Sequence, residues 1–381
     1  MRVKRLGVLL ALTAAIALPS SAVSARMSKP SGQQDQQQSK EKQGSDDEIK
    51  LNSTLVQVPA IVTDHDGKFI DDLSKDNFKI YEDGKAQPIG TFATVQQPFN
   101  VVLVLDTSNT AEDRLKAIQD TAVSFIQQMT PEDRAMVVTF DDDVRELTEF
   151  TSDKSELEEA IRKTESGFGK LLYDAVNHSL EQLKSVEGRR AVVLFSDGVD
   201  LGSIDATDKS TEQLADEVGA VIYCVKFNTR WWVDSEARRQ WKDHPYPTSG
   251  PMPTDGRVPM PPPGATPPIQ VESQGGVSVT VSDPNAPQDI TKTLDKLYGT
   301  ADAYAAALSS TSGGKVFEAR SLGDTKAAFA EIAKELRNQY VIGYYPSSQH
   351  MDGKYHKIKL QVDRKGLQVR ARQGYRANTD S

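Results

Sequence analysis

Apolar residues in this chain fall into two kinds of run. Short unbroken runs (VVLVL at 101–105, VVLF at 192–195 and VIYCV at 221–225) end on acids or small polar residues, as buried strands of a parallel sheet do. Between them, apolar positions recur every three or four residues. Leu115, Ile118, Ala122, Phe125, Ile126 and Met129 predict a helix that Pro131 ends. A second helix, opened by Lys170, carries Leu172, Ala175, Val176, Leu180 and Leu183. A third carries Ile290, Leu294, Leu297, Ala301, Tyr304, Ala305 and Leu308 and stops at Gly313-Gly314. The last places Ala328, Ile332 and Leu336 on one face behind a capping pattern, Ser321 to Asp324. AMVVTF and VRELTEF read as a hairpin. This alternation predicts an α/β domain over residues 98–337, with a doubly wound, mostly parallel sheet and helices on both faces.

On either side the period changes to two. In residues 51–97, Val56, Val58, Ala60 and Val62 alternate with other residues, and Asp66-Gly67 and Asp83-Gly84 are turn signals. Asp64-His65-Asp66-Gly67 reads as a plain β-turn, since the further ligands of a calcium loop are missing. In residues 338–377, Ile358, Leu360 and Val362 face one way and Lys357, Lys359 and Gln361 the other. The two flanking segments are expected to pair as a small β-sandwich with the α/β domain inserted between them, which closes their edges.

Three stretches lack either period. Residues 1–25 have a basic start, an apolar run from about Leu6 to Leu18 and small residues before Ala25, the pattern of a cleaved secretory signal peptide. Residues 26–50 form a Gln-rich polar linker, expected to be disordered. Residues 228–289 form an insertion with 12 of the 19 prolines and all three tryptophans, Trp231, Trp232 and Trp241. Those indoles either meet a partner or pack the loop back onto the domain. No later run matches the length of the first apolar one, so no membrane insertion is expected after cleavage. The expected location is periplasmic or extracellular, and the lone Cys224 then forms no internal disulfide.

Asp106, Ser108 and Thr110 follow the first apolar strand, and Asp197 follows VVLF. Both positions lie at the carboxyl edge of a parallel sheet, where such sheets bind ligands. Carboxylate and hydroxyl oxygens suit a hard cation, so Mg²⁺ is the cofactor this set admits. DTSNT at 106–110 resembles the D-x-S-x-S motif of the von Willebrand factor A family. That resemblance implies that Asp106, Ser108, Thr110 and Asp197 belong to a metal-ion-dependent adhesion site, whose open position a partner's acid completes. The family's second loop reads G-T before a helix; here Gly169 is followed by Lys170. An ammonium can lie between two carboxylates and replace the cation. Ser166, four residues earlier, substitutes only if the loop is rearranged. The flanking segments, with VPAIVTDHDGKFIDDLSKDNFKIYEDGKAQPI upstream and AFAEIAKELRNQYVIGYYP downstream, resemble a secreted bacterial branch of that family over residues 51–377, the insertion apart.

Other chemistry falls away on inspection. A haloacid-dehalogenase strand ends D-x-D, and here Ser108 replaces the second acid. Ser196 lacks the glycines of a nucleophile elbow, and the five histidines show no ligand spacing. The formal charge of −9 excludes nucleic acid as the main partner. Lys357, Lys359, Arg364, Lys365, Arg370 and Arg372 form either an anion-binding patch or a solvated strand face. The expectation is an exported, non-enzymatic module that binds a protein or cell-surface ligand through a degenerate adhesion site. The alternative is a periplasmic scaffold whose site is neutralised by Lys170.

Overall fold

The strand containing VVLVL is apolar on both faces, so it is stable only between two layers of helices. The computed structural model describes residues 55–94, 97–108, 115–227, 229, 230, 233, 234, 269–272, 278–281, 286–346 and 352–377. The signal-peptide and linker assignments, Thr110 and the three tryptophans lie outside the described residues. In chain order come β1 (Val56–Asp64), β2 (Phe78–Glu82), β3 (Lys85–Gln87), β4 (Ile89–Ala93), β5 (Phe99–Asp106) and α1 (Leu115–Gln128). Next are β6 (Arg134–Phe140), β7 (Val144–Glu146), α2 (Lys154–Arg162), α3 (Leu172–Lys184), β8 (Arg189–Ser196) and α4 (Asp208–Val218). β9 (Val221–Phe227), β10 (Ile269–Glu272), β11 (Ser278–Val281), α5 (Ala286–Ser312) and β12 (Lys315–Ala319) follow. The chain closes with α6 (Leu322–Arg337), β13 (Gln339–Tyr344), β14 (Tyr355–Val362), β15 (Leu367–Ala371) and β16 (Gly374–Arg376).

The central sheet has the order β12-β9-β8-β5-β6-β7, parallel except for β7. Val101, Leu103 and Leu105 of β5 pack with Phe125 of α1, Ile161 of α2 and Phe329 of α6. Val102 and Val104 pack with Val176 of α3, Leu214 of α4 and Leu308 of α5. The predicted doubly wound α/β architecture is therefore present, with β5 at its centre. Cys224 is buried on β9, where burial pushes its thiol up to about 11.

Two details differ from the sequence expectation. The helix expected to open at Lys170 begins at Leu172, which leaves Lys170 in the preceding loop. The insertion, expected to lack periodicity, contains β10 and β11 as an antiparallel pair.

The flanking segments form two four-stranded sheets, β15-β1-β13-β4 and β16-β14-β2-β3. Both sheets mix strands from before and after the α/β domain: β1 pairs with β13 and β15, and β14 with β2. Asp83 and Gly84, at φ of 47° and 82°, make the two-residue turn between β2 and β3. Val58, Ile80, Tyr340, Ile342 and Leu360 fill the core between the sheets. The six basic residues do not form one patch. Arg372 is buried, and its Nη2 donates to the Asp216 carbonyl of α4 while Nη1 donates to the Gln57 carbonyl of β1. Arg370 reaches Glu335 of α6 and the Gly313 carbonyl. These two arginines tie β15 and the segment after it to the α/β helices.

His356 of β14 is buried with a carboxylate at each ring nitrogen, Asp83 at 2.8 Å from Nδ1 and Asp352 at 3.3 Å from Nε2. Burial opposes the charged ring, but the two carboxylates outweigh it and raise its pKa above the usual 6.5. The folded state therefore holds this proton more tightly than the unfolded chain does. The stabilisation is complete below about pH 6.5 and is lost as pH rises through the folded pKa. Melting temperatures measured from about pH 6 to pH 9 should fall more for the natural chain than for His356→Gln; equal profiles would remove this linkage.

Candidate functional site

β5 lies where the strand order reverses: the chain leaves it through α1 to β6 on one side, and β8 flanks it on the other. The carboxyl ends of β5 and β8 thus open beside a topological switch point, the usual ligand crevice of such sheets. Asp106 ends β5, and Ser196-Asp197 ends β8. The loop before α3 brings Lys170 to the same point.

Gly167 and Gly169 shape that loop. A Cβ on Gly167 would stand 2.2 Å from Asp141 Oδ2, so the loop passes too close to β6 for any side chain there. Gly169 has a φ of 74°, which favours glycine. Gly167 N–H also donates to the Thr107 carbonyl at 2.9 Å, which joins this loop to the one after β5.

Asp106, Lys170 and Asp197 are 0%, 2% and 1% exposed. The Lys170 ammonium donates to Asp106 Oδ2 at 3.1 Å and to Asp197 Oδ1 at 2.9 Å. Ser196 Oγ donates to Asp106 Oδ2 at 2.9 Å, and Ser108 N–H donates to Oδ1 at 3.0 Å. Val199 N–H donates to Asp197 Oδ1 at 3.0 Å, and Thr229 Oγ1 donates to Oδ2 at 2.6 Å. Burial by itself would lower the Lys170 pKa; the two carboxylates outweigh it and hold the ammonium well above its ordinary range. The two carboxylates thus favour the charged form of Lys170.

Of the sequence-predicted residues, Asp106, Ser108, Asp197 and Lys170 converge, and Thr110 lies outside the described residues. Ser166, considered as a substitute for a threonine at the position of Lys170, has its hydroxyl buried without a hydrogen-bond partner. Sequence reasoning missed three contributors. Ser196 and Thr229 stand beside acids or strand ends, a signal too common to single them out. Asp141, at the end of β6, accepts from Thr107 Oγ1 at 3.0 Å and from Arg145 Nη1 at 2.7 and 2.8 Å. Its burial would raise its pKa, but the hydrogen bonds from Arg145 prevail and the carboxyl sits below the usual range.

The described set does not fit a divalent cation while Lys170 stands there. Every oxygen of Asp106 and Asp197 already accepts a hydrogen bond. A cation would also sit within a few ångströms of the buried Lys170 ammonium, at a repulsion far above thermal energy in a buried site. Among the described residues, no group of three or more His, Cys, Asp or Glu side chains is gathered for a metal.

Around this sealed cluster the edge is open. Phe168, between the two loop glycines, is 56% exposed, and Ile204, on the loop after β8, is 88% exposed. Asp142 and Asp143 of the β6–β7 turn are also exposed, with Gly169, next to Phe168 in the chain, packed on the Asp142 backbone.

Residues 101–199 match the family described as von Willebrand factor type A domain. Among solved structures, the conserved hypothetical protein BatB from Bacteroides thetaiotaomicron is 17% identical, with 62% of this chain and 98% of that one covered at a TM-score of 0.36. The vWF domain of the type V pili tip protein Mfa5 from Porphyromonas gingivalis is 16% identical, covering 63% and 95% at 0.37. Proximal thread matrix protein 1 from the mussel byssus, in a form with a zinc-occupied MIDAS motif, is 18% identical, covering 35% and 36% at 0.32. No curated protein matches the chain by sequence.

Removing the ammonium leaves two buried carboxylates unneutralised. Lys170→Met should cost about 3–5 kcal/mol of unfolding free energy in urea titrations without metal. Adding Asp106→Asn and Asp197→Asn should recover most of that loss; a neutral single variant would show that Lys170 does not hold the loops.

Proposed function

We propose that this chain, which carries a von Willebrand factor type A domain at residues 101–199, is an exported, non-enzymatic module that binds a protein or cell-surface partner at the carboxyl edge of its sheet without a metal. The observation that carries this reading is the Lys170 ammonium lodged between Asp106 and Asp197. It supplies internally the positive charge that the family's adhesion site takes from a cation. A partner's acid then has no open coordination position to complete.

What the edge offers instead is apolar. Phe168 and Ile204 are two of three exposed large hydrophobic residues among the described ones, and both stand on loops that Lys170 joins. Leu201 N–H donates to the Lys170 carbonyl at 3.0 Å, and Ile204 N–H to Asp174 Oδ2 at 2.9 Å, so the loop carrying Ile204 is held in place. Exposed side chains on rigid loops lose little entropy on binding, which is how contact hot spots gain affinity. The signal-peptide pattern of residues 1–25 supports export. The hydroxyl of Ser196 donates to a carboxylate, and no histidine joins that network among the described residues, which supports a binding role over nucleophilic catalysis.

Calorimetric titration of the natural chain with Mg²⁺ or Mn²⁺ should give no binding heat, and Lys170→Thr should gain a site. Tight binding by the natural chain, abolished in Asp106→Ala, would overturn the metal-free reading. A photo-crosslinking residue at position 168 or 204 should capture a partner in the presence of a chelator, while one at exposed Lys326 of α6 should not. Capture that requires added Mg²⁺ would restore the metal-dependent alternative.

A further inference from the structure

β14 separates two chemistries by strict alternation. His356, Ile358 and Leu360 point into the sandwich, while Lys357 and Lys359 are exposed on the outer face. On that outer face lies a cavity of about 700 Å³, lined by Tyr81, Tyr355, Lys357, Lys359, Gln361 and Gln373 among others. Its volume falls in the range of small-molecule sites, about 300–1,000 Å³.

The lining is built rather than accidental. Lys359 pairs across the strands with Tyr81, which sets a phenol beside an ammonium. Tyr355 lies over Gly374 of β16, where a Cβ would stand 2.3 Å from the ring. A side chain at that position would collide with the ring and with the His356 carbonyl. Several other cations of the sandwich are engaged: Lys79 with Asp363, Arg364 with Asp72, Lys354 with Asp352 and Arg370 with Glu335. Lys357 and Lys359 form no ion pair among the described residues. They stand about 6.6 Å apart along one strand face, at two residues of about 3.3 Å each. Like charges so placed repel one another. In a chain with 54 acidic residues and 45 basic ones, two adjacent unpaired ammoniums beside two phenols mark a place where an anion would relieve that repulsion.

We propose that this outer-face cavity binds an acidic glycan, a short run of sugar residues bearing carboxylates. The ammoniums take the carboxylates, the phenol rings of Tyr81 and Tyr355 take the apolar C–H faces of the sugar rings, and the amides of Gln361 and Gln373 take hydroxyls. A small inorganic anion would use only the lysines and leave the rings and amides idle. The site is independent of the sheet edge discussed above, because it uses the sandwich alone.

The test uses the full chain without its first 25 residues and titrates it with a galacturonate trimer at low salt, followed by calorimetry or by amide chemical shifts. Binding should weaken about tenfold or more in Lys357→Gln/Lys359→Gln, each tenfold being 1.4 kcal/mol. It should also weaken severalfold in Tyr81→Ala, which leaves the charge unchanged. Maltotriose, a triglutamate peptide and inorganic phosphate should each bind far more weakly. Unchanged melting curves establish that the variants, at exposed or half-buried positions, remain folded. Failure of the galacturonate trimer to bind, equal binding of triglutamate or phosphate, or unaltered affinity in the lysine double variant would each overturn the proposal.

Discussion

One ammonium between two buried carboxylates organises the carboxyl edge of the central sheet. Lys170 is 64 residues from Asp106 and 27 from Asp197, and its charge gathers the ends of two strands and the loop before α3 at a single point. Thr229, just beyond β9, joins the same cluster through Asp197. Charges this deeply buried are tolerable only when paired and fully hydrogen-bonded, so each loop is constrained by what the others supply. Asp141 repeats the device at the neighbouring strand end, binding Thr107 and Arg145 at once. The result is a closely cross-linked platform, in which one ammonium and several neutral donors offset the charge of two carboxylates, and whose outward side chains are free to specialise. On the proposed reading, that specialisation is apolar contact by Phe168 and Ile204 in place of shared coordination.

The sandwich answers a different constraint. A small sheet needs a second layer to cover its apolar face, and its open edges invite other strands. Here β1 is flanked by β13 and β15, so the N-terminal strand takes both of its sheet neighbours from beyond the α/β domain. Arg370 and Arg372 then carry the connection into α4 and α6. Inside, the hydroxyls of Tyr344 and Tyr375 donate to the buried Glu82, so these three side chains satisfy one another in the small core. The outer face of β14, which faces no second layer, is where Lys357 and Lys359 remain available.

Periodicity made much of this legible from the residues. Unbroken apolar strands with helical stripes between them required a two-sided parallel sheet, and alternation on either side required half-buried strands. The end of each central strand was equally plain, since an apolar run cannot continue through Asp106 or Asp197. Harder to read were features without a local signature. β10 and β11 are four residues each and carry no flanking pattern strong enough to separate them from the surrounding insertion. Lys170 sits at a loop–helix boundary, where one residue decides between opening the helix and reaching into the site.

The residues alone determined the fold class, the sheet edge carrying the acids and the unusual cation beside them, because burial patterns and strand ends are local properties of the chain. Only the tertiary structure decided what that cation does. Whether Lys170 reaches solvent or lies between Asp106 and Asp197 depends on the close approach of Gly167 to Asp141 and on the hydroxyls of Ser196 and Thr229, contacts between segments far apart in sequence. The same holds for the six basic residues near the C-terminus. One strand alternation makes them look alike, but Arg372 ends in the junction, Arg370 on Glu335, and Lys357 and Lys359 at an open cavity. Which partner each charge meets is set by strand pairing and domain packing, and neither is written into its neighbours in sequence.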